Sequence, residues 1–248
     1  MDVTIREDGE LSDRVIMVSG GSRGLGRALA RRYVEEGASV SICARNEADL
    51  GQVADHIRAA GGRCLAIPAD VSSADDVERW FEATSATFGR VDAVVNNASV
   101  LGPLVPVEEH PEDAWRRVID VNLTGAFLCA RTAVPRLRRT AGSLIHVSSG
   151  VGDHGRPEWG AYSVSKNGLE ALSEMLAGEL ADDGVRSNVV DPGAMRTEMR
   201  AAAYPEEDPR ELPPPYRITD VFVYLASDRS GDVTGERFRA PDFEMPDD

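Results

Sequence analysis

Lysine is almost absent from this chain of 248 residues. Of its 27 basic side chains one is a lysine, Lys166, and the other 26 are arginines. Positive charge as a whole is also scarce. The 42 acidic residues leave a formal net charge of −15, which excludes the basic face that nucleic acid or an anionic membrane surface requires. Long apolar runs are missing too. None approaches the roughly 18 residues of a membrane span, and the opening MDVTIREDGE lacks the basic-then-apolar order of a secretory leader. A cytoplasmic protein acting on a small molecule is therefore expected. Cysteine is sparse: Cys43, Cys64 and Cys129 are odd in number, widely spaced and set among apolar neighbours, as buried free thiols in a reducing compartment are. The four histidines have no metal-ligand spacing, so no metal site is expected, and His146 within LIHVS reads as a strand residue.

What the chain does have is a core and a rhythm. Hydrophobic residues make up 42%, and the length suits one α/β domain, here 1–248. Short β-branched runs at 14–19, 38–43, 63–68, 91–98, 142–149 and 185–190, with a last one near 233–239, predict strands. Between them, helical spacing predicts helices following Gly24, over 46–60, over 74–88, over a long stretch 112–138 broken or bent near Pro135, over 161–180 and near 217–226. Strict alternation of this kind implies a Rossmann-type doubly wound parallel sheet of about seven strands with helices on both faces. In such sheets ligands bind beyond the carboxyl ends of the strands.

The first strand runs into SGGSRGLGRALA. Gly20, Gly24 and Gly26 let the backbone turn sharply and approach a pyrophosphate seated on the helix N-terminus. Taken alone, a glycine-rich turn is as often only structural; its place after the first strand favours a dinucleotide. Further on, Tyr162 and Lys166 stand four apart and so share a helix face. A free phenol, with a pKa of about 10, is a poor base at neutral pH, but a neighbouring ammonium is expected to pull it down. That makes the pair a proton donor and acceptor for a carbonyl or alcohol. A guanidinium fork does not replace a compact ammonium with three rotatable donors, which accounts for one lysine among 26 arginines. An ordinary surface Tyr–Lys pair is the competing explanation of this motif by itself.

Together these motifs resemble the short-chain dehydrogenase/reductase family in its single-domain form. SGGSRGLG is similar to its TGxxxGxG turn, with Ser19 for Thr, and NNAS to its NNAG, with Ser99 for Gly. VNLTG supplies an asparagine, HVSSG a serine, YSVSK the YxxxK pair and DPGAMRT a PGxxxT-like end, all in family order from about residue 12 to 238. The resemblance implies Asn122, Ser149, Tyr162 and Lys166 as catalytic residues. Ser149, thirteen before the tyrosine, is preferred over Ser148. Tyr162 would exchange the proton, Ser149 would steady the substrate oxygen, Lys166 would hold the nicotinamide ribose, and Asn122 would help link Lys166 to solvent. Implied cofactor contacts are Gly20, Ser22, Arg23, Gly24, Leu25, Gly26, Arg45, Asp70, Val71, Asn97, Ala98, Met195 and Thr197, together with Tyr162 and Lys166. Ala44 stands in the slot where enzymes preferring NAD carry an acid, and Arg45 and Arg23 stand at positions that bind a 2′-phosphate. NADP(H) is thus expected over NAD(H).

Two regions depart from the family pattern. The tail VTGERFRAPDFEMPDD replaces its glycine-rich end, where subunits pack, so a homodimer and a homotetramer are both open. The substrate-covering loop, 198–216, is short and carries five prolines, a stiff or open cover. Trp159, Leu101 and Met199 are candidate pocket walls or ordinary packing. The expected activity is hydride transfer to a ketone or 3-oxoacyl-type substrate. Sugar or polyol dehydrogenation and a cofactor-binding protein without turnover are the alternatives.

Overall fold

In the computed structural model, which describes residues 4–6 and 9–246, every apolar run becomes a strand of a single parallel sheet. The strands are β1 (Val15–Ser19), β2 (Ser39–Ala44), β3 (Cys64–Pro68), β4 (Ala93–Asn96), β5 (Ser143–Val147), β6 (Arg186–Asp191) and β7 (Arg237–Arg239). They are joined by helices α1 (Gly24–Glu35), α2 (Glu47–Ala59), α3 (Ala74–Phe88), α4 (Glu112–Ile119), α5 (Gly125–Leu137), α6 (Gly160–Glu179), α7 (Glu198–Ala203) and α8 (Asp220–Ala226). The sheet order is β3-β2-β1-β4-β5-β6-β7. The chain builds from β1 toward one edge and then returns to lay β4 on the other side of β1. The crevice where the order reverses lies above the ends of β1 and β4, the usual ligand position in a doubly wound sheet.

Both faces are covered, as the strands' unbroken apolar character requires. On one side Leu29, Tyr33, Ile57 and Phe222 are fully buried against β1 and β2; on the other Trp80, Phe81, Cys129 and Leu137 pack with Val94 and Leu144. The polar atoms that enter these layers are paired. Trp80 Nε1 donates to Ser41 Oγ at 2.9 Å, and Ser41 shares a 2.7 Å hydrogen bond with Thr84. Local signals set the helix ends. Ser73 caps α3 by accepting from the Asp76 backbone N–H, Asp75 and Asp76 occupy its first turn, and Gly37 takes φ +89° just past α1. The three cysteines are buried and unbridged. Among the described residues no helix is long and apolar enough to cross a membrane.

Three expectations need correction. The long helical stretch is not broken at Pro135, which lies inside α5. It is interrupted instead by a π turn at Asp120–Thr124. There Gly125 packs so tightly on Val71 that a Cβ would lie 2.8 Å from Val71 Cγ2, and Asn122 turns inward to bind the Val100 backbone. The last strand is shorter than expected, 237–239. Finally, 198–216 is not a loop throughout: it opens with α7 and continues in turns at Pro209–Glu211 and Pro215–Ile218. Arg196 pins it, with Nε donating to the Pro209 carbonyl (2.9 Å) and Nη2 to that of Leu212 (3.2 Å).

Candidate active site

Four strand ends and one helix face converge on one cleft of about 940 Å³. β1 delivers the glycine turn. Gly20 and Gly24 sit at φ +69° and +53°, where side chains other than glycine are strained, and a Cβ on Gly26 would fall 2.2 Å from the Gly20 carbonyl oxygen. β4 delivers Asn97 and Ala98. The Ser19 hydroxyl accepts from both their backbone N–H groups at 3.0 Å, and Asn97 Nδ2 donates to the Ser19 carbonyl at 2.7 Å, so turn and strand are sewn together. β5 delivers Ser148 and Ser149, and β6 leads through Asp191 to Met195 and Thr197. Gly20, Arg23, Gly24, Leu25, Gly26 and Ala98 line the cleft's floor, and Asn97, Ser149, Tyr162, Lys166, Met195 and Thr197 line it further along. Leu101, Trp159 and Met199 line it as well.

Of the remaining expected residues, Val71 and Asn122 line a separate small cavity of about 10 Å³ together with Lys166. Ser22, Arg45 and Asp70 line neither. Asp70 is committed elsewhere: it accepts from Ser72 and from Arg117 Nη2 at 3.0 Å, bonds that hold its carboxyl below the usual range against the effect of burial. Arg45 is exposed just past β2 and, among the described residues, has no hydrogen bond or ion pair. Arg23 is ion-paired, Nη1 to Glu198 Oε2 at 2.5 Å, with both side chains exposed.

The two serines separate cleanly. Ser148 Oγ donates to Glu170 Oε1 at 2.5 Å, whereas Ser149 lines the cleft with Tyr162 and acts to lower the pKa of its phenol. Tyr162 and Lys166 are 7% and 2% exposed, on the same face of α6. Lys166 Nζ donates to the Val147 carbonyl at 2.7 Å and lies 5.6 Å from the centre of the Tyr162 ring. Asn122 Oδ1 accepts from Val100 N–H, and its Nδ2 donates to Val100 O and to Ser165 Oγ.

The electrostatics reverse one expectation. Tyr162 is not pulled below its ordinary value of 10.0 but pushed up to about 12. Burial is the main cause and the Asp191 carboxylate adds to it, while Ser149 works against both. Burial also lowers Lys166 to about 8, opposed by Glu170. Removing a phenolate from water costs more here than an ammonium can return when it is itself desolvated and tied to a carbonyl. At neutral pH the pair is therefore a protonated phenol beside a cation.

Two residues that the sequence reading did not single out stand beside the site. Asp191, 4% exposed, accepts from Gly193 N–H and faces Arg237 at 3.7 Å. Arg237, from the atypical tail, donates Nη2 to the Ser149 carbonyl and Nε to Glu170 Oε1, both at 3.2 Å. Asp191 stood in view within DPG, but nothing in the sequence brings Arg237 to Ser149.

A model of the family described as short chain dehydrogenase matches residues 14–208. The chain belongs to the short-chain dehydrogenases. It is similar to the uncharacterized oxidoreductase YciK of Escherichia coli K12, 36% identical over 240 residues covering 95% of each chain. It is also similar to 3beta-hydroxysteroid dehydrogenase 1 of Eggerthella lenta, 36% identical over 239 residues and 91% of each chain. Among solved structures, a short-chain dehydrogenase from Shigella flexneri complexed with NADP superposes with a TM-score of 0.89 at 35% identity, covering 95% of this chain and all of that one. The chain is thus an oxidoreductase of this family, with its Rossmann-type fold.

Proposed function

We propose that this enzyme uses NADP(H) to reduce a ketone to a secondary alcohol, with Tyr162 as the proton donor. The observation that carries this reading is that Ser149, Tyr162 and Lys166 line one cleft with the glycine turn, where burial keeps the Tyr162 phenol protonated. The residues present fit a dinucleotide. The turn leaves open space at Gly24, where a Cβ would meet nothing nearer than Thr197 at 3.6 Å, and Ser99 Oγ is buried on the cleft wall with no partner among the described residues. Gly20, Ser22, Gly24 and Gly26 would hold the pyrophosphate, Asp70 and Val71 the adenine side, Asn97 and Ala98 the adenosine ribose, Lys166 the nicotinamide ribose, and Met195 and Thr197 the nicotinamide end. Arg45 and Arg23 would take the 2′-phosphate. When bound, the nicotinamide supplies the hydride.

The rest falls to the chain's own groups. Ser149 donates to the substrate oxygen and steadies the charge that grows there. Tyr162 O–H gives that oxygen its proton. Lys166, charged below about pH 8, stabilises the phenolate left behind. Asn122 keeps the π turn and the chain at Val100, just past β4, in place, beside a cavity at the lower size limit for one water. The segment 198–216 covers the substrate through Met199 and Tyr204, both on the cleft wall. Self-association through α5 and α6 is supported by Phe127, Val164 and Met175, exposed by 44–49%; a homodimer is the smallest assembly this face would make. The decisive assay follows reduced-nicotinamide absorbance across ketones and secondary alcohols, with Tyr162→Phe as control. A broad panel without turnover, despite cofactor binding, would refute the reading.

A further inference from the structure

At the end of the cleft beyond Tyr162 stands a cation without an anion. Trp159 packs edge-on against Tyr162, ring centres 5.8 Å apart. The Arg156 guanidinium carbon lies 4.9 Å from the Trp159 ring centre and 5.8 Å from that of Tyr204. Its Nη1 donates to Tyr204 O–H at 2.6 Å. All four of Arg156, Trp159, Tyr162 and Tyr204 line the cleft.

The surroundings make this unusual. In a chain with 15 more acidic than basic groups, four other arginines on or near this rim hold carboxylates, and Arg196 is tied to the backbone carbonyls of Pro209 and Leu212. Arg23 holds Glu198, Arg200 holds Glu207 through two hydrogen bonds, Arg210 holds Asp208 and Arg239 holds Asp242. His154 takes Asp153. Arg156 has no carboxylate within ion-pair distance among the described residues, and Glu158, in the same turn, does not pair with it. Of the five N–H donors of a guanidinium, one is committed, to a neutral phenol. Two aromatic rings flank the exposed guanidinium, which lowers the entropy cost of using the rest.

We propose that Arg156 is the anchor for a carboxylate on the substrate, so that the enzyme's ketone or secondary alcohol carries an acid group on the Trp159 side of the reacting carbon. This rests on the reading of the cleft as a ketone-reducing site with Tyr162 at its chemical end. The guanidinium lies two ring contacts from Tyr162, and Trp159 between them lines the cleft, a flat wall for a cyclic or short skeleton. A forked guanidinium binds a carboxylate through two parallel charge-assisted hydrogen bonds, which a neutral ester or amide cannot match.

The test uses the full-length enzyme saturated with NADP⁺ and two probes of equal shape, cyclohexanecarboxylate and cyclohexanecarboxamide, titrated calorimetrically. The carboxylate is expected to bind about tenfold tighter or better, since a hydrogen bond to a charged group contributes about that much. In Arg156→Met the ratio falls to near one. In Tyr204→Phe, which removes the phenol contact but keeps the guanidinium, the preference stays. Equal binding of the two probes by the wild type, an unchanged ratio in Arg156→Met, or loss of the ratio in Tyr204→Phe would each overturn the proposal. The last would assign the effect to a latch between the cover and the loop before α6. A parallel turnover arm compares 4-oxocyclohexanecarboxylate with its carboxamide. Silence of both ketones with the binding ratio intact would sink the ketone-reductase reading while upholding the carboxylate anchor.

Discussion

Arg237 donates its Nη2 to the backbone carbonyl of Ser149 at 3.2 Å, across 88 residues of sequence. The same guanidinium also meets Glu170 and Asp191, and Glu170 in turn accepts from Ser148. One side chain from the atypical tail therefore tethers the serine that faces Tyr162 and offsets the carboxylate that pushes Tyr162 upward.

Replacing this arginine is expected to act on chemistry more than on cofactor binding. In Arg237→Met the Ser149 backbone loses its tether and Asp191 its counter-charge. Hydrogen bonds to charged groups contribute about 1.5–3 kcal/mol, so kcat should fall roughly 10- to 100-fold, with the NADPH Kd little changed. Arg237→Lys should recover part of the loss. Wild-type kcat and an unmoved pH profile in Arg237→Met would show the tether to be idle.

Tyr162→Phe should remove most turnover, roughly 10²- to 10⁴-fold as for general acids, and leave the cofactor in place. The pH dependence follows from the direction of the shift. With the phenol raised to about 12, its protonated form is the one present throughout the neutral range. Ketone reduction should be flat there, while alcohol oxidation, which needs the phenolate, should climb steadily into the alkaline range. Initial rates in both directions from pH 6 to 10, roughly the span between ordinary His and Tyr values, check this. An oxidation rate that levels off near neutral pH would contradict it.

Lys166→Arg keeps the charge and is nevertheless expected to lose nearly all activity. Lys166 is 2% exposed, with Nζ bonded to Val147 O, and a wider planar head does not fit a site shaped for a compact ammonium. Full activity of that variant, measured beside its melting temperature, would mean the lone lysine is not required.

Much of this was legible in the sequence because it is written locally. Strand and helix alternate on the scale of ten residues, and the glycine turn, the serine pair and YxxxK are each contiguous, so their order alone predicts a cleft at the strand ends. What escaped is set by tertiary contact. The π turn at Asp120–Thr124 sits where Gly125 packs on Val71, a partner more than fifty positions away, and Pro135 does not break the helix. The sign of the Tyr162 shift depends on burial, which helix spacing does not report. Arg237 and Asp191 meet only because β7 pairs with β6.

His146 yields a stability prediction with a defined window. It is fully buried in β5, and burial, aided by Lys166, lowers it from 6.5 to about 4. The unfolded chain therefore binds one more proton than the folded one between those values, and stability falls as pH drops from 6.5 toward 4. Between pH 7.5 and 5 the loss is on the order of 2 kcal/mol. The carboxylates with lowered values, such as Asp70 and Asp228, act only below their ordinary 3.8. Urea unfolding of wild type and His146→Val at the two pH values should show this loss in the wild type alone; equal losses would place the sensitivity elsewhere.

The proposed preference for NADP(H) rests on two arginines in different states. Arg45 is exposed and unpaired among the described residues, whereas Arg23 is already partly neutralised by Glu198. A 2′-phosphate must compete with that carboxylate at Arg23 but meets an uncommitted fork at Arg45. An exposed ion pair contributes only about 0.2–1 kcal/mol, so the competition at Arg23 is mild, yet it ranks the two. Arg45→Ala should raise the KM for NADPH by roughly tenfold or more, as expected for loss of a charge-assisted bond, and Arg23→Ala should raise it less. Neither should alter the KM for NADH, which has no phosphate there. Arg45→Asp goes further, because it adds repulsion toward the phosphate and an acceptor for a free 2′-hydroxyl, so kcat/KM should shift toward NADH. An unmutated enzyme with the higher kcat/KM for NADH would refute the NADP(H) assignment, and an NADPH KM that moves more in Arg23→Ala than in Arg45→Ala would reverse the ranking.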